Sequence, residues 1–334
     1  MALAGVNEPL QLSDAEAVEA LDAHVSDAVS LRMVADVPLG AFLSGGVDSS
    51  LVVATMQRLS SRPVRTFTIG FEDAAYDEAR YAERVARHLG TDHTTLMLSP
   101  AETIETIPRI PDLYDEPFAD SSQIPTFLVS RLARSKVTVS LSGDGGDELF
   151  GGYNRYFHGH GIWQRMERLP PRPPRGLAPL AAWVPPRLID TVGGAIRPLL
   201  PKAYQQKRPA QKVRKLALMA RSTSGEAVYR NLVSMWLNPD HAVIDGHEPS
   251  DFIHEPELRA LMPDMMRQMM YTDLLTYLVD DILTKVDRAS MGVSLEAREP
   301  LLDHRLVEFA WRLPLHQKIR NGHGKFVMRE LLAR

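Results

Sequence analysis

The first stretch able to do chemistry is Ser44-Gly45-Gly46-Val47-Asp48-Ser49, set between a short apolar run and an amphipathic one. Glycines at a turn let backbone approach an anion closely. The N–H groups at a helix start point outward, and the helix dipole favours negative charge there. Ser44 and Ser49 add hydroxyl donors. Asp48 is the odd member, because a carboxylate repels phosphate. It makes sense as a ligand of Mg²⁺, which takes carboxylate and phosphate oxygens together. No Gly-Lys-Ser/Thr is present, so this is not a Walker loop. The competing reading is an ordinary helix cap at a tight turn.

A second stretch is Ser142-Gly143-Asp144-Gly145-Gly146-Asp147-Glu148. Three carboxylates within five residues repel one another unless cations or a shared proton relieve them. Pairing Asp48 with Asp147 around one Mg²⁺ is the economical arrangement, and it leaves Asp144 for acid-base work. A solvated acidic turn is the alternative. The third stretch runs from Asp280 to Arg288 and continues from Ser294 to His304. Charges this dense among apolar residues suggest cleft-lining ion pairs, which structural salt bridges explain equally well.

The elements that must carry these residues follow from periodicity. Ser13 and Glu16 form a capping box, and Val18, Leu21, Val25 and Ala28 follow at helical spacing. Strands are expected at Leu39–Leu43, Val64–Phe71, His93–Leu98 and Val137–Leu141. Helices are expected at Ser49–Leu59, Asp77–Leu89 (with Gly90 as its C-terminal cap) and Gln123–Ser135. Strand-helix alternation of this kind predicts an α/β fold, a parallel sheet flanked by helices. Ligands of such sheets sit beyond the carboxyl ends of the strands, where both glycine-rich stretches fall. Residues 1–12 read as a linker remnant, 13–160 as the nucleotide-binding core, and 161–334 as a mainly helical remainder. The proline-rich stretch 170–186 reads as a surface excursion. Met262, Met265, Met266, Met269 and Met270 read as a packed helix face.

Composition narrows the function classes. A net charge of −4 over 334 residues lacks the basic surface that general nucleic-acid binding needs. The chain has no cysteine, so disulfides, thiolate metal sites and a cysteine nucleophile are excluded. No signal peptide and no membrane-spanning apolar stretch is read, which makes a cytoplasmic enzyme the expectation.

Taken together, Ser44–Ser49, the segment Leu141–Tyr153 and the run Asp281–His304 resemble the synthetase domain of class-B, glutamine-dependent asparagine synthetases, in order and in spacing. The resemblance covers roughly residues 13–334. It implies an adenine nucleotide alpha hydrolase-like, pyrophosphate-loop fold. It also implies an ATP- and Mg²⁺-dependent ligase that joins aspartate to ammonia through a β-aspartyl-adenylate, releasing AMP and pyrophosphate. Carried over by position, Ser44, Gly45, Gly46, Asp48 and Ser49 match the pyrophosphate loop, and Asp48 and Asp147 match the Mg²⁺ carboxylates. Ser142 and Gly143 match nucleotide contacts; Leu43, Ile69 and Gly70 match the adenine and ribose pocket. Asp144 stands where some relatives have glutamate, the base for ammonium. Lys325 matches a lysine that stabilises charge on the adenylate and pyrophosphate. Ser121, Ser122, Asp287 and Arg288 match positions near the aspartate site. Members of the family carry an N-terminal glutaminase domain with a cysteine nucleophile, and they continue past the lysine motif. The resemblance therefore implies a fragment of a longer protein, homodimeric at full length, that takes ammonia from a glutaminase domain absent here. Two alternatives stay open: a relative acting on another carboxylate, β-lactam-forming or peptide-modifying, and an inactive ATP-binding fragment.

Overall fold

The structure, a computed structural model, describes residues 2–71, 79–168, 222, 224–234, 236, 243–246 and 261–334. The proline-rich stretch 170–186 lies outside the described residues, as does most of 203–260. The chain divides into two compact units, Met1–Tyr153 with Met270–Arg334, and Asn154–Met269.

The first unit is organised by five strands: β1 (Leu39–Phe42), β2 (Arg65–Phe71), β3 (Asp92–Leu98), β4 (Val139–Leu141) and β5 (Glu296–Arg298). All neighbours pair in parallel, in the order β3-β2-β1-β4-β5. From β1 the chain moves outward through β2 to β3, then returns to β4 on the other side of β1. The order therefore reverses between β1 and β4. A reversal of this kind opens a crevice beyond the carboxyl ends of the two strands, where parallel α/β sheets bind ligands.

Helices cover both faces. The helix α2 (Asp14–Arg32) starts at the expected capping box: the Glu16 N–H donates to Ser13 Oγ at 3.3 Å, and the Ser13 N–H donates to Glu16 Oε2 at 2.8 Å. It buries Val18, Leu21, Val25 and Ala28. The crossovers contain α3 (Val47–Leu59), and α4 (Ala79–Leu89) followed by Gly90 at φ 71°. The first residues of the expected Asp77–Leu89 helix fall outside the described set. On the other face, the helix Gln123–Arg134 buries Phe127, Leu128 and Ala133 against Phe67, Leu98, Val137, Ala289 and Leu295.

Two features differ from the sequence reading. β5 was not expected, because three residues reading Glu-Ala-Arg carry no apolar run. Its ladder with β4 and the helices around it define the strand. Residues Ala2–Asn7, read as part of a linker, form a short helix, α1, against the helix His304–Arg312. Gly5 permits this, since a Cβ there would lie 3.0–3.1 Å from the Trp311 and Arg312 backbone.

In the second unit, the helix Asn154–Arg168 packs against Gly225–Val233. Met262, Met265 and Met269 are buried and Met266 partly so, as a packed stripe requires; Met270, the first residue of the returning segment of the first unit, is buried as well. No helix of the described residues is long and apolar enough to cross a membrane.

Candidate active site

The loops leaving β1 and β4 meet at the crevice. Leu43 follows β1 directly, with its N–H donating to Phe67 O at 2.9 Å, while Thr68 Oγ1 donates to Leu43 O. Gly45 then turns the chain at φ 77°. Ser44 folds back on the helix start: its N–H donates to Ser49 Oγ at 3.2 Å, and the two hydroxyls lie 3.0 Å apart. Gly46 caps α3 without a side-chain acceptor, leaving that helix end to offer its N–H groups outward.

The second loop presses directly on the first. A Cβ on Gly143 would lie 2.6 Å from Ser49 N, and one on Gly146 would lie 2.6 Å from Asp48 Cγ. A side chain at Gly143 would therefore push on backbone, and one at Gly146 would displace the Asp48 carboxylate. This is why two glycine-rich stretches distant in sequence become one wall.

Lys325 joins the wall from the far end of the chain. Its Nζ donates to Asp48 Oδ2 at 2.5 Å and pairs with Asp147 Oδ1 at 2.7 Å. Three local features hold it there. Its backbone takes a left-handed conformation at φ 61°, uncommon for a residue with a side chain. Its N–H donates to Phe150 O at 2.9 Å, at the end of the short helix Gly146–Phe150 that starts with the second loop. The helix Phe326–Leu332 that follows packs on α2 and α3. Gly152 makes room for the ion pair, since a Cβ there would lie 1.9 Å from Asp147 Oδ1 and 2.2 Å from Lys325 Cε.

Burial dominates the acidities. It pushes the Asp48 carboxyl up to about 6, even though Lys325 pulls in the opposite direction. Burial alone would depress the Lys325 ammonium, and Asp48 and Asp147 together outweigh it, so it stays above the usual lysine value. Asp144 is raised by burial, opposed by the Ser142 hydroxyl that donates to Asp144 Oδ2 and by the charge of Lys285. Burial raises Glu148 to about 7, against the hydrogen bond donated by Tyr153 at 2.7 Å. It raises Glu299 to about 7 as well, with Asp144 and Asp287 adding to the shift.

The walls enclose a cleft of about 460 Å³, the size of a small-molecule site. Leu43, Ser44, Gly46, Asp48, Ser49, Ile69, Ser122, Ser142, Gly143, Asp144 and Asp147 line it. Phe71, Pro125 and Val129 give it an apolar part. A larger groove of about 820 Å³ shares Gly46 with it and runs along α3 and α4. Its Asp22 and Arg58 neutralise each other at 2.5 Å and, among the described residues, Asp22 is the one carboxylate in its lining, so the smaller cleft is the candidate site.

Other expected residues fall outside the lining. Gly45 abuts α4, where a Cβ would lie 2.7 Å from Ala82 N, and Gly70 abuts Met97 and Ala79. Ser121 is exposed beside the cleft-lining Ser122. Asp287 and Arg288 do not line the cleft; Arg288 is exposed and pairs with Asp115 at 2.7 Å. Along the helix Thr284–Met291 Asp287 is turned roughly 160° away from Lys285, which does line the cleft, whereas Arg288, one turn on and only roughly 60° round, reaches out to Asp115.

The sequence alone assigns no individual role to Lys285, Asp120, Glu148, Tyr153 or Glu299. Lys285 donates to Asp120 Oδ2 at 2.9 Å, and Asp120 also accepts from the Ser122 N–H at 2.8 Å and hydroxyl at 2.7 Å. A lysine inside an acidic, apolar run, and an aspartate two residues before a helix-start serine, were the available signals.

The donor set fits a divalent cation in one respect. Asp48 Oδ1 is buried without a hydrogen-bond partner, while Lys325 takes Oδ2. Among the described residues no group of three or more Asp, Glu or His side chains is placed to hold one metal ion, so protein alone does not form a full cage. Mg²⁺ sites commonly use one or two carboxylates and complete the shell with phosphates and water.

Comparison with known proteins places this geometry in a family. The Asparagine synthase family model matches residues 20–334. Asparagine synthetase (glutamine-hydrolyzing) 1 of Bacillus subtilis is 30% identical over 325 residues, covering 97% of this chain and 48% of that protein. Asparagine synthetase (glutamine-hydrolyzing) 3 of the same organism is 25% identical over 327 residues, 92% of this chain and 44% of that protein. Asparagine synthetase (glutamine-hydrolyzing) 2 of Oryza sativa subsp. japonica is 39% identical over 144 residues, 39% of this chain and 24% of that protein. The chain thus spans about half the length, or less, of these curated relatives. With a match that runs over most of its length, the chain belongs to the asparagine synthase family.

Proposed function

We propose that this chain is an ATP-dependent, AMP-forming ligase domain that converts aspartate and ammonia to asparagine. The observation that carries the reading is the convergence of Asp48, Asp147 and Lys325 beside a glycine-capped helix start. That set suits a polyphosphate better than any other ligand: outward N–H groups, a metal-type carboxylate pair and a fixed ammonium.

In the first half-reaction the aspartate β-carboxylate attacks the α-phosphorus of ATP. The bond to the β-phosphate breaks, pyrophosphate leaves, and β-aspartyl-AMP remains. The α3 N-terminus and the Ser44 and Ser49 hydroxyls bind the leaving phosphates, and Lys325 meets the charge that grows on them. Bound Mg²⁺, held by Asp48 and Asp147, would supply charge neutralisation at the phosphates. Leu43 and Ile69, with the apolar part of the cleft, receive the adenine and ribose. In the second half-reaction ammonia forms the C–N bond, and the acyl–phosphate bond breaks to release AMP. Asp144, buried with its proton affinity raised, takes the proton lost by the nitrogen. The ammonia arrives free or from a glutaminase domain.

A product balance tests this. Incubation with ATP, Mg²⁺, aspartate and ammonium is expected to yield asparagine, AMP and pyrophosphate in equal amounts. Formation of ADP and phosphate, or turnover of ATP without asparagine, would exclude the reading.

A further inference from the structure

Of the side chains that line the cleft, four are carboxylic acids: Asp48, Asp144, Asp147 and Glu148. Among the described residues, the one cation in that lining is Lys285; Lys325, paired with Asp48 and Asp147, is not part of the lining. Its side chain is only 11% exposed, and Asp120 Oδ2 at 2.9 Å is the acceptor it meets. An ammonium has three N–H donors, so two remain for a ligand. Asp120 is itself immobilised by two donors from Ser122, and Tyr114 Oη donates to Lys285 O at 3.3 Å. The lysine is thus fixed at both its backbone and its tip, and it faces a ligand-sized space. Lys285 also lies near enough to Asp144 to oppose its protonation, which puts it at the acid-base end of the cleft.

The reaction proposed above brings in an amino acid with two carboxylates. The one that is activated is served by the phosphate end, through Lys325 and the Asp48–Asp147 pair. The other enters an acidic, partly desolvated cleft and needs its own cation, because an unpaired buried carboxylate is costly. We propose that Lys285 holds the non-reacting α-carboxylate of the amino-acid substrate, with Ser122 beside it and Asp120 as the brace that aims the ammonium. Lys285 then sets the preference for a dicarboxylic amino acid over the same molecule without its α-carboxylate. This assignment rests on the ligase reading, and it moves substrate recognition from Arg288, which faces out to Asp115, to the residue one turn earlier.

The test compares aspartate with β-alanine, which is aspartate without the α-carboxylate, as supporters of pyrophosphate exchange into ATP. The unaltered protein is expected to favour aspartate in kcat/KM, and Lys285→Met to collapse that ratio by roughly 10- to 150-fold, the range for a hydrogen bond to a charged group. The fall should lie in KM for aspartate, with KM for ATP little changed. Lys285→Arg, which keeps the charge, should restore most of the ratio. Because Lys285→Met leaves Asp120 unpaired, the double variant Lys285→Met/Asp120→Asn is made alongside it, and the same collapse is expected there. A ratio that survives in both Met variants, or a loss confined to kcat with a shifted pH profile, overturns the assignment in favour of a tuning role on Asp144. Absence of aspartate-supported exchange in the unaltered protein is a different result, and it takes down the ligase reading together with this one.

Discussion

Lys325→Met is the perturbation with the most structural content. It removes an ammonium that touches Asp48 at 2.5 Å and Asp147 at 2.7 Å, where the Lys325 and Asp48 side chains are 11% and 15% exposed. Two effects follow, and they separate by assay. Catalytically, loss of one preorganised donor at developing charge costs about 10²–10³ in rate, so aspartate-supported pyrophosphate exchange should fall by that factor while ATP binding by calorimetry changes little. Structurally, two carboxylates lose their shared partner. Breaking a buried pair on one side costs about 3–5 kcal/mol, and Asp147 is exposed enough that the lower end applies. The deficit carries a pH signature. With Lys325 present, the Asp48 carboxyl titrates near 6; without it, the opposing pull is gone and the carboxyl rises further. The pair stabilises only while Asp48 is ionised. The variant should therefore be most destabilised near pH 8, and the gap should narrow as pH falls below about 5 and Asp48 takes up a proton in both proteins, leaving the share carried by the Lys325–Asp147 pair. Thermal unfolding at several pH values measures this. A gap that is flat with pH, or exchange within a few-fold of the unaltered protein, would refute the reasoning.

Three further outcomes are expected. Gly152→Ala should disrupt the Lys325–Asp147 pair, because its Cβ would lie 1.9 Å from Asp147 Oδ1; Gly161→Ala, with nothing within 4 Å, should be neutral or slightly stabilising. Circular-dichroism melts and exchange rates distinguish the two. Glu148 takes its proton at about 7 in the fold against 4.5 ordinarily, so the folded state binds more protons over that window and stability falls as pH rises through it. Glu148→Gln should flatten that dependence, worth up to about 3 kcal/mol between pH 4.5 and 8, as read from denaturant unfolding. Asp144→Asn should retain pyrophosphate exchange and lose ammonia-dependent amide formation by about 10²–10⁴-fold, a split that quench-flow on the two half-reactions resolves.

Much of the fold is legible in the sequence because local signals agree with the tertiary outcome. Ser13 and Glu16 form the capping box their spacing suggests, and the apolar runs from Leu39, Val64 and His93 become strands within a residue or so of their expected limits. β5 is illegible because its pairing with β4, and no pattern of its own, makes it a strand. In the site, Asp48, Asp144 and Asp147 stand out because clustered carboxylates beside glycines demand an explanation. Lys325 stands out only through the family resemblance, since no spacing links it to a loop 277 residues away. Lys285 is hidden in a run of charged residues; the turn of its helix separates it from Asp287, and the pairing of Arg288 with Asp115 separates it from Arg288. Gly143, Gly146 and Gly152 show their purpose only when the opposing backbone or side chain is seen pressed against them.

The central claim is that the aspartate side-chain carboxylate is joined to the α-phosphorus of ATP in this cleft. Aspartate carrying ¹⁸O in both β-carboxyl oxygens tests it directly, by mass spectrometry of the products after turnover with ATP, Mg²⁺ and ammonium. One ¹⁸O should appear in the phosphate of AMP, and the other should remain in the amide of asparagine. Label in inorganic phosphate or in pyrophosphate, or AMP without label, would contradict the account.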